Sequence, residues 1–116
     1  MDDVVLRTAD GGRVVADVVG VLDPATSARI ADRAVALLTA GARVLVLDLS
    51  GVTFCDSSGL GAMLSVWRRA RALGAGVAFA AVPSPLSRRF EVTGLDRVLG
   101  SYPTAGDALA AQGPTG

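Results

Sequence analysis

The chain contains no histidine and no lysine in 116 residues, and only one cysteine. These absences exclude whole classes of chemistry. Without His or Lys there is no Ser-His-Asp triad, no Ser-Lys dyad, no Schiff-base lysine and no P-loop lysine. Metal sites built on His or on several Cys are equally excluded. The lone Cys55 has no partner for an internal disulfide and fits a reducing compartment. All eleven cations are arginines, and eleven acidic residues balance them to a formal charge of zero. No strong field is therefore available to draw in nucleic acid or an anionic membrane, and neither is expected as a partner. The start Met1-Asp2-Asp3 is acidic where a signal peptide would be basic. No apolar run approaches the ~18 residues that a membrane span needs, and a cytoplasmic protein is expected.

What is present reads as a folded domain. Apolar residues make up 51% and charged residues 19% of the chain, a composition suited to one globular unit, here expected over 1–112 with a frayed polar tail at 113–116. Residues 4–8 and the Val-rich stretch 13–22 read as strands joined at Asp10-Gly11-Gly12, a hairpin-turn signal. Asp23-Pro24 then supplies an N-capping carboxylate and a proline suited to the first helical position. Ile30, Ala34, Leu37 and Leu38 recur at helical spacing behind it, predicting a helix over 24–40. Val44 to Leu47, followed by Leu49, is nearly continuously apolar, as expected of a central strand covered on both faces.

A second helix is predicted over 58–73, with Leu60, Met63, Leu64 and Trp67 on its inner face. Arg68, Arg69 and Arg71 lie outside that face, as a solvated surface or a docking patch for an acidic partner. Residues 77–82 read as a strand, and Ser84-Pro85 opens a helix with Leu86 and Phe90 inward and Gly94 at its end. Val98-Leu99 is read as a short last strand, and Thr104 as the cap of a last helix through Leu109. The fold class is α/β, a mixed, mostly parallel sheet of four to five strands with about four helices.

The segment Ser50-Gly51-Val52-Thr53-Phe54-Cys55-Asp56-Ser57-Ser58-Gly59-Leu60-Gly61 stands between the central strand and the second helix. On general grounds Ser57 or Ser58 could simply be an N-cap worth ~1 kcal/mol, with Asp56 favourable near the helix start. Cys55 reads as a small buried hydrophobe or, alternatively, as a redox sensor. Gly59 and Gly61 leave the corner bare of side chains, so a partner could approach the backbone closely.

This segment resembles the signature of STAS-domain anti-sigma factor antagonists, in which Asp-Ser-Ser-Gly-Leu-Gly or Asp-Ser-Thr-Gly-Leu-Gly opens a helix. A second stretch, Gly20-Val21-Leu22-Asp23-Pro24-Ala25-Thr26, is similar to the family's Gly-Glu-Leu-Asp-x-x-Thr, with Val21 where Glu is common. The resemblance implies the STAS fold, Ser57 as a phosphoacceptor, and a partner-binding surface of Asp23, Asp56, Ser57, Ser58, Gly59 and Leu60. It further implies an anti-sigma factor with serine kinase activity and a serine phosphatase as partners. No catalytic residue, cofactor or metal is implied for this chain, since the ATP belongs to the kinase. The alternative within the same fold is an adaptor subunit of a lipid-transport or stressosome-type complex, without a phosphoswitch. A serine hydrolase fails for want of a base.

Overall fold

A computed structural model of the chain describes residues 3–112, and the expected tail at 113–116 lies outside them. Strands β1 (Val4–Asp10) and β2 (Arg13–Leu22) form the antiparallel hairpin read from Asp10-Gly11-Gly12. Gly11 and Gly12 have φ of +59° and +82°, the left-handed pair that a tight two-residue hairpin turn demands. Helix α1 (Pro24–Thr39), strand β3 (Val44–Cys55), helix α2 (Ser58–Ala72), strand β4 (Gly76–Ala80) and helix α3 (Ser84–Thr93) follow. A 3-10 turn (Leu95–Arg97), strand β5 (Gly100–Tyr102) and helix α4 (Ala105–Gln112) complete the described chain. The sheet has five strands in the order β1-β2-β3-β4-β5, parallel from β2 onward. This is the mixed, mostly parallel α/β architecture expected from the sequence.

Period-two alternation sends the β3 side chains to two different cores. Leu45, Leu47 and Leu49 pack with Val14, Ala16 and Val18 of β2, Phe79 of β4, and the inner faces of α1, α2 and α3. Those faces are Ile30, Ala34 and Leu38, then Met63, Val66 and Ala70, then Leu86 and Phe90. Val44 and Val46 point the other way and meet Ala78, Ala80, Ala105 and Ala108 under α4. Thr104 caps α4 as expected, its hydroxyl accepting the Asp107 N–H at 3.1 Å. Trp67 packs half-buried against the larger core, with the Arg71 guanidinium 5.0 Å from its ring centre. Arg68, Arg69 and Arg71 are exposed. Among the described residues, no helix is long and apolar enough to cross a membrane.

Several boundaries differ from the sequence reading, β1 and α4 running two and three residues further than expected. Strand β3 continues through Ser50–Cys55, because β2 runs beside it as far as Leu22, which pairs with Cys55. Two bulges put one extra β3 residue each between Asp48 and Gly51 and between Val52 and Phe54, and so erase the alternation by which a strand is recognised. Strand β4 ends at Ala80, where Ala81 turns to φ +53°. Residues 98–99 are not strand: Val98 and Leu99 donate their N–H groups to Leu95 O at 3.0 and 2.7 Å, and the last strand starts at Gly100.

On the sheet face beyond α4, Arg7 bridges two aspartates. Its guanidinium bonds both Asp17 carboxylate oxygens and lies 2.7 Å from Asp48 Oδ2. Burial pushes the Asp48 carboxyl upward, but Arg7 and the Ser50 N–H, 2.9 Å away, outweigh it and hold the group below its usual range. A depressed carboxyl stabilises the fold above its unfolded pKa, and that contribution is lost as pH falls through the folded value. Asp48→Asn is expected to cost about 1–2 kcal/mol at pH 7, and the difference from wild type should be smaller at pH 3. Urea titrations at both pH values test this, and an equal deficit at both would sink the assignment.

Candidate functional site

Because β2 and β3 are parallel and end in register, the two motifs singled out in the sequence emerge side by side. The Asp56 N–H donates to Leu22 O at 3.0 Å, so Asp23 and Asp56 each leave the same sheet edge and enter a helix there. Asp23 caps α1 as read. Its Oδ1 accepts the Thr26 N–H at 2.9 Å, while the Thr26 hydroxyl accepts the Asp23 N–H at 2.9 Å, completing a capping box. The Thr26 N–H, helped by the Thr26 hydroxyl, holds the Asp23 carboxyl below the ordinary carboxylate range.

At α2 the two serines are sharply different. Ser58 is half-buried: its N–H donates to Asp56 Oδ1 at 2.8 Å and its hydroxyl bonds the same carboxylate. The Ser58 and Ser27 hydroxyls share a further hydrogen bond at 3.1 Å. Ser57 stands at the N-cap position, yet its side chain makes no capping bond. Capping requires an extended backbone at that residue, and Ser57 is already helical, with φ −67° and ψ −14°. Asp56 does the capping one residue earlier, in an Asx turn. The simple N-cap reading of the serine pair is thus corrected, and the Ser57 side chain is left exposed at the corner.

Gly59 is buried, and its bareness serves internal packing instead of an approaching surface. A Cβ there would sit 3.2 Å from Leu86 Cδ1 and 3.3 Å from Leu22 Cδ1, so α2 seats tightly on α3 and on the end of β2. Gly61 faces open space. Leu60 is half-buried against the core, as is Cys55. Burial, and then Asp56, push the Cys55 thiol up, against an opposing contact from the Leu86 N–H. A thiol so disposed is a poor thiolate and behaves as a small hydrophobe.

Two features of this edge escaped the sequence reading. Phe54 and Val21, paired across β3 and β2, are exposed, Phe54 to 59% of its surface. Their outward orientation depends on the β3 bulges and leaves no trace in the residue pattern. The second feature is a groove of about 220 Å³ lined by Cys55, Asp56, Ser57, Pro85, Leu86 and Arg89, which brings the β3–α2 corner together with α3. Among the described residues, no group of three or more His, Cys, Asp or Glu could hold a metal ion.

The family model described as "Mlab, STAS domain" matches residues 5–100. An anti-sigma factor antagonist from Mycobacterium paratuberculosis is 31% identical, superposes with a TM-score of 0.79, and aligns over 93% of this chain and 91% of its own. The chain belongs to the STAS-domain family of anti-sigma factor antagonists. A STAS protein of this kind from Planctomyces limnophilus is 26% identical over 96% of this chain and 98% of its own, with a TM-score of 0.76. The phosphorylated form of SpoIIAA, a Bacillus cell fate determinant, shares the STAS fold at 21% identity and a TM-score of 0.72, over 93% of this chain and 97% of its own.

Proposed function

We propose that this STAS protein, unphosphorylated, binds an anti-sigma factor that is also a serine kinase, and so releases a sigma factor. Phosphorylation of Ser57 ends the interaction, and a serine phosphatase restores it. The observation that carries this reading is the contrast between the two hydroxyls. A kinase must place its base and the transferred phosphoryl group against a hydroxyl it can reach. The Ser58 hydroxyl is engaged by Asp56 and Ser27, whereas Ser57 is exposed and makes no capping bond. A phosphate adds a charge of ~−1.5 to −2 beside Asp56 and repels an acidic or close-fitting partner. In this reading the kinase is the partner, so ATP and turnover belong to the partner.

The test is peptide mass spectrometry after incubation with the partner kinase and ATP. Wild type is expected to gain one phosphate, on Ser57. Ser57→Ala should gain none, and Ser58→Ala should still be modified. Phosphate on Ser58 would overturn the assignment. A complex that ignores phosphorylation would instead favour an adaptor of the lipid-transport or stressosome type.

Asp23, Asp56, Ser57, Ser58 and Leu60 form the proposed contact surface, with Gly59 seating it from beneath. Asp23→Asn separates the two roles of that residue, since Asn caps as well as Asp but carries no charge. The melting temperature of Asp23→Asn should stay within about 2 °C of wild type while its affinity for the anti-sigma factor falls. Unchanged affinity in a calorimetric titration would leave Asp23 with the cap alone.

A further inference from the structure

The proposed switch leaves open where the phosphate goes once it is attached. Ser57 and Arg89 line one groove, Ser57 on the wall at the start of α2 and Arg89 on the wall formed by α3, in its second turn. The two walls are held in a fixed relation by the Gly59–Leu86 contact beneath them. Arg89 is exposed, and among the described residues no carboxylate pairs with its guanidinium. Its neighbour Arg88 is also exposed but does not line the groove. The groove's volume of about 220 Å³ exceeds what a phosphate group fills, so the modified side chain can turn inward without displacing the helices.

We infer that Arg89 is the internal counter-ion of phosphorylated Ser57, an inference that rests on Ser57 being the acceptor. A guanidinium can take two phosphate oxygens at once through parallel N–H donors. Pairing of this kind changes the surface twice: a dianion appears at the corner, and the free arginine beside it is withdrawn from any partner. The phosphate also bridges α2 to α3. The Asp56 and Asp23 carboxylates on the same corner oppose the second ionisation of the phosphate, and Arg89 favours it.

The experiment uses full-length protein with phosphoserine incorporated at position 57 during translation, so no kinase is needed. Phosphorus NMR follows the second ionisation, which for a free phosphoserine falls near pH 6. Arg89→Gln should raise that pKa by about half a unit, roughly threefold in the acid constant, while Arg88→Gln should leave it in place. Both side chains are exposed, so both variants should fold. The same pKa in Arg89→Gln as in wild type overturns the inference, and so does an equal shift in Arg88→Gln, which would reveal a diffuse field in place of a pair. Failure of the switch reads out separately: phosphorylated and unphosphorylated protein would then bind the anti-sigma factor equally, whatever the titration gave.

Discussion

Ser57→Asp is expected to fold as well as wild type and to bind the anti-sigma factor about a hundredfold more weakly or worse, since an unfavourable charge at a close interface costs several kcal/mol. The fold is spared for a local reason. Ser57 is exposed and contributes no capping bond, so nothing is removed, and Asp is among the preferred residues at a helix start. Ser57→Asn is the matched control, offering the same shape without the charge, and should bind within a few-fold of wild type. Ser57→Ala should bind and remain bound in the presence of ATP. Calorimetric titration of the three variants, with thermal melts alongside, decides the matter. Equal affinity for Ser57→Asp and Ser57→Asn would remove charge as the basis of the switch.

Phe79→Ala is expected to cost about 3–5 kcal/mol. Phe79 is fully buried in β4 and packs on the sheet face that carries three of the four helices. A void of about 20 Å³ already lies beside it, lined also by Leu47, Gly59, Met63 and Val66, so truncation enlarges an existing space where collapse is hard. Against a total stability of roughly 5–15 kcal/mol, a melting temperature lower by roughly 10–20 °C follows. Val92, 86% exposed on α3, supplies the contrast, and Val92→Ala should melt with wild type. A Phe79→Ala protein that melts within 3–4 °C of wild type would mean that the core is looser than its packing indicates.

Much of this architecture was legible in the residues, for reasons that are local. Asp10-Gly11-Gly12, Asp23-Pro24, Ser84-Pro85 and Thr104 each set a backbone geometry with their own atoms, and the elements they bound were read close to their true places. What was not legible depended on neighbours. The second half of β3 is strand because β2 lies along it, and its bulges hide the period by which it would have been found. The difference between the Ser57 and Ser58 hydroxyls turns on the φ and ψ of one residue and on Ser27, thirty-one positions away. The exposure of Phe54 and the groove that Arg89 and Ser57 both line arise only when strands and helices are assembled.

The sheet order follows the chain order from first strand to last, and this has a consequence for biosynthesis. No strand must be inserted between two that have already paired, so the domain can grow by accretion as it leaves the ribosome. The β1–β2 hairpin can close first, as a short-range event on a microsecond timescale. Each later strand then adds to the free edge left by its predecessor. Synthesis delivers about 5–20 residues per second, far slower than such docking, so each edge is exposed only until the next helix and strand emerge. In that order of growth an unpaired parallel edge, the hazard that makes such sheets prone to aggregate, is presented in only one place at a time.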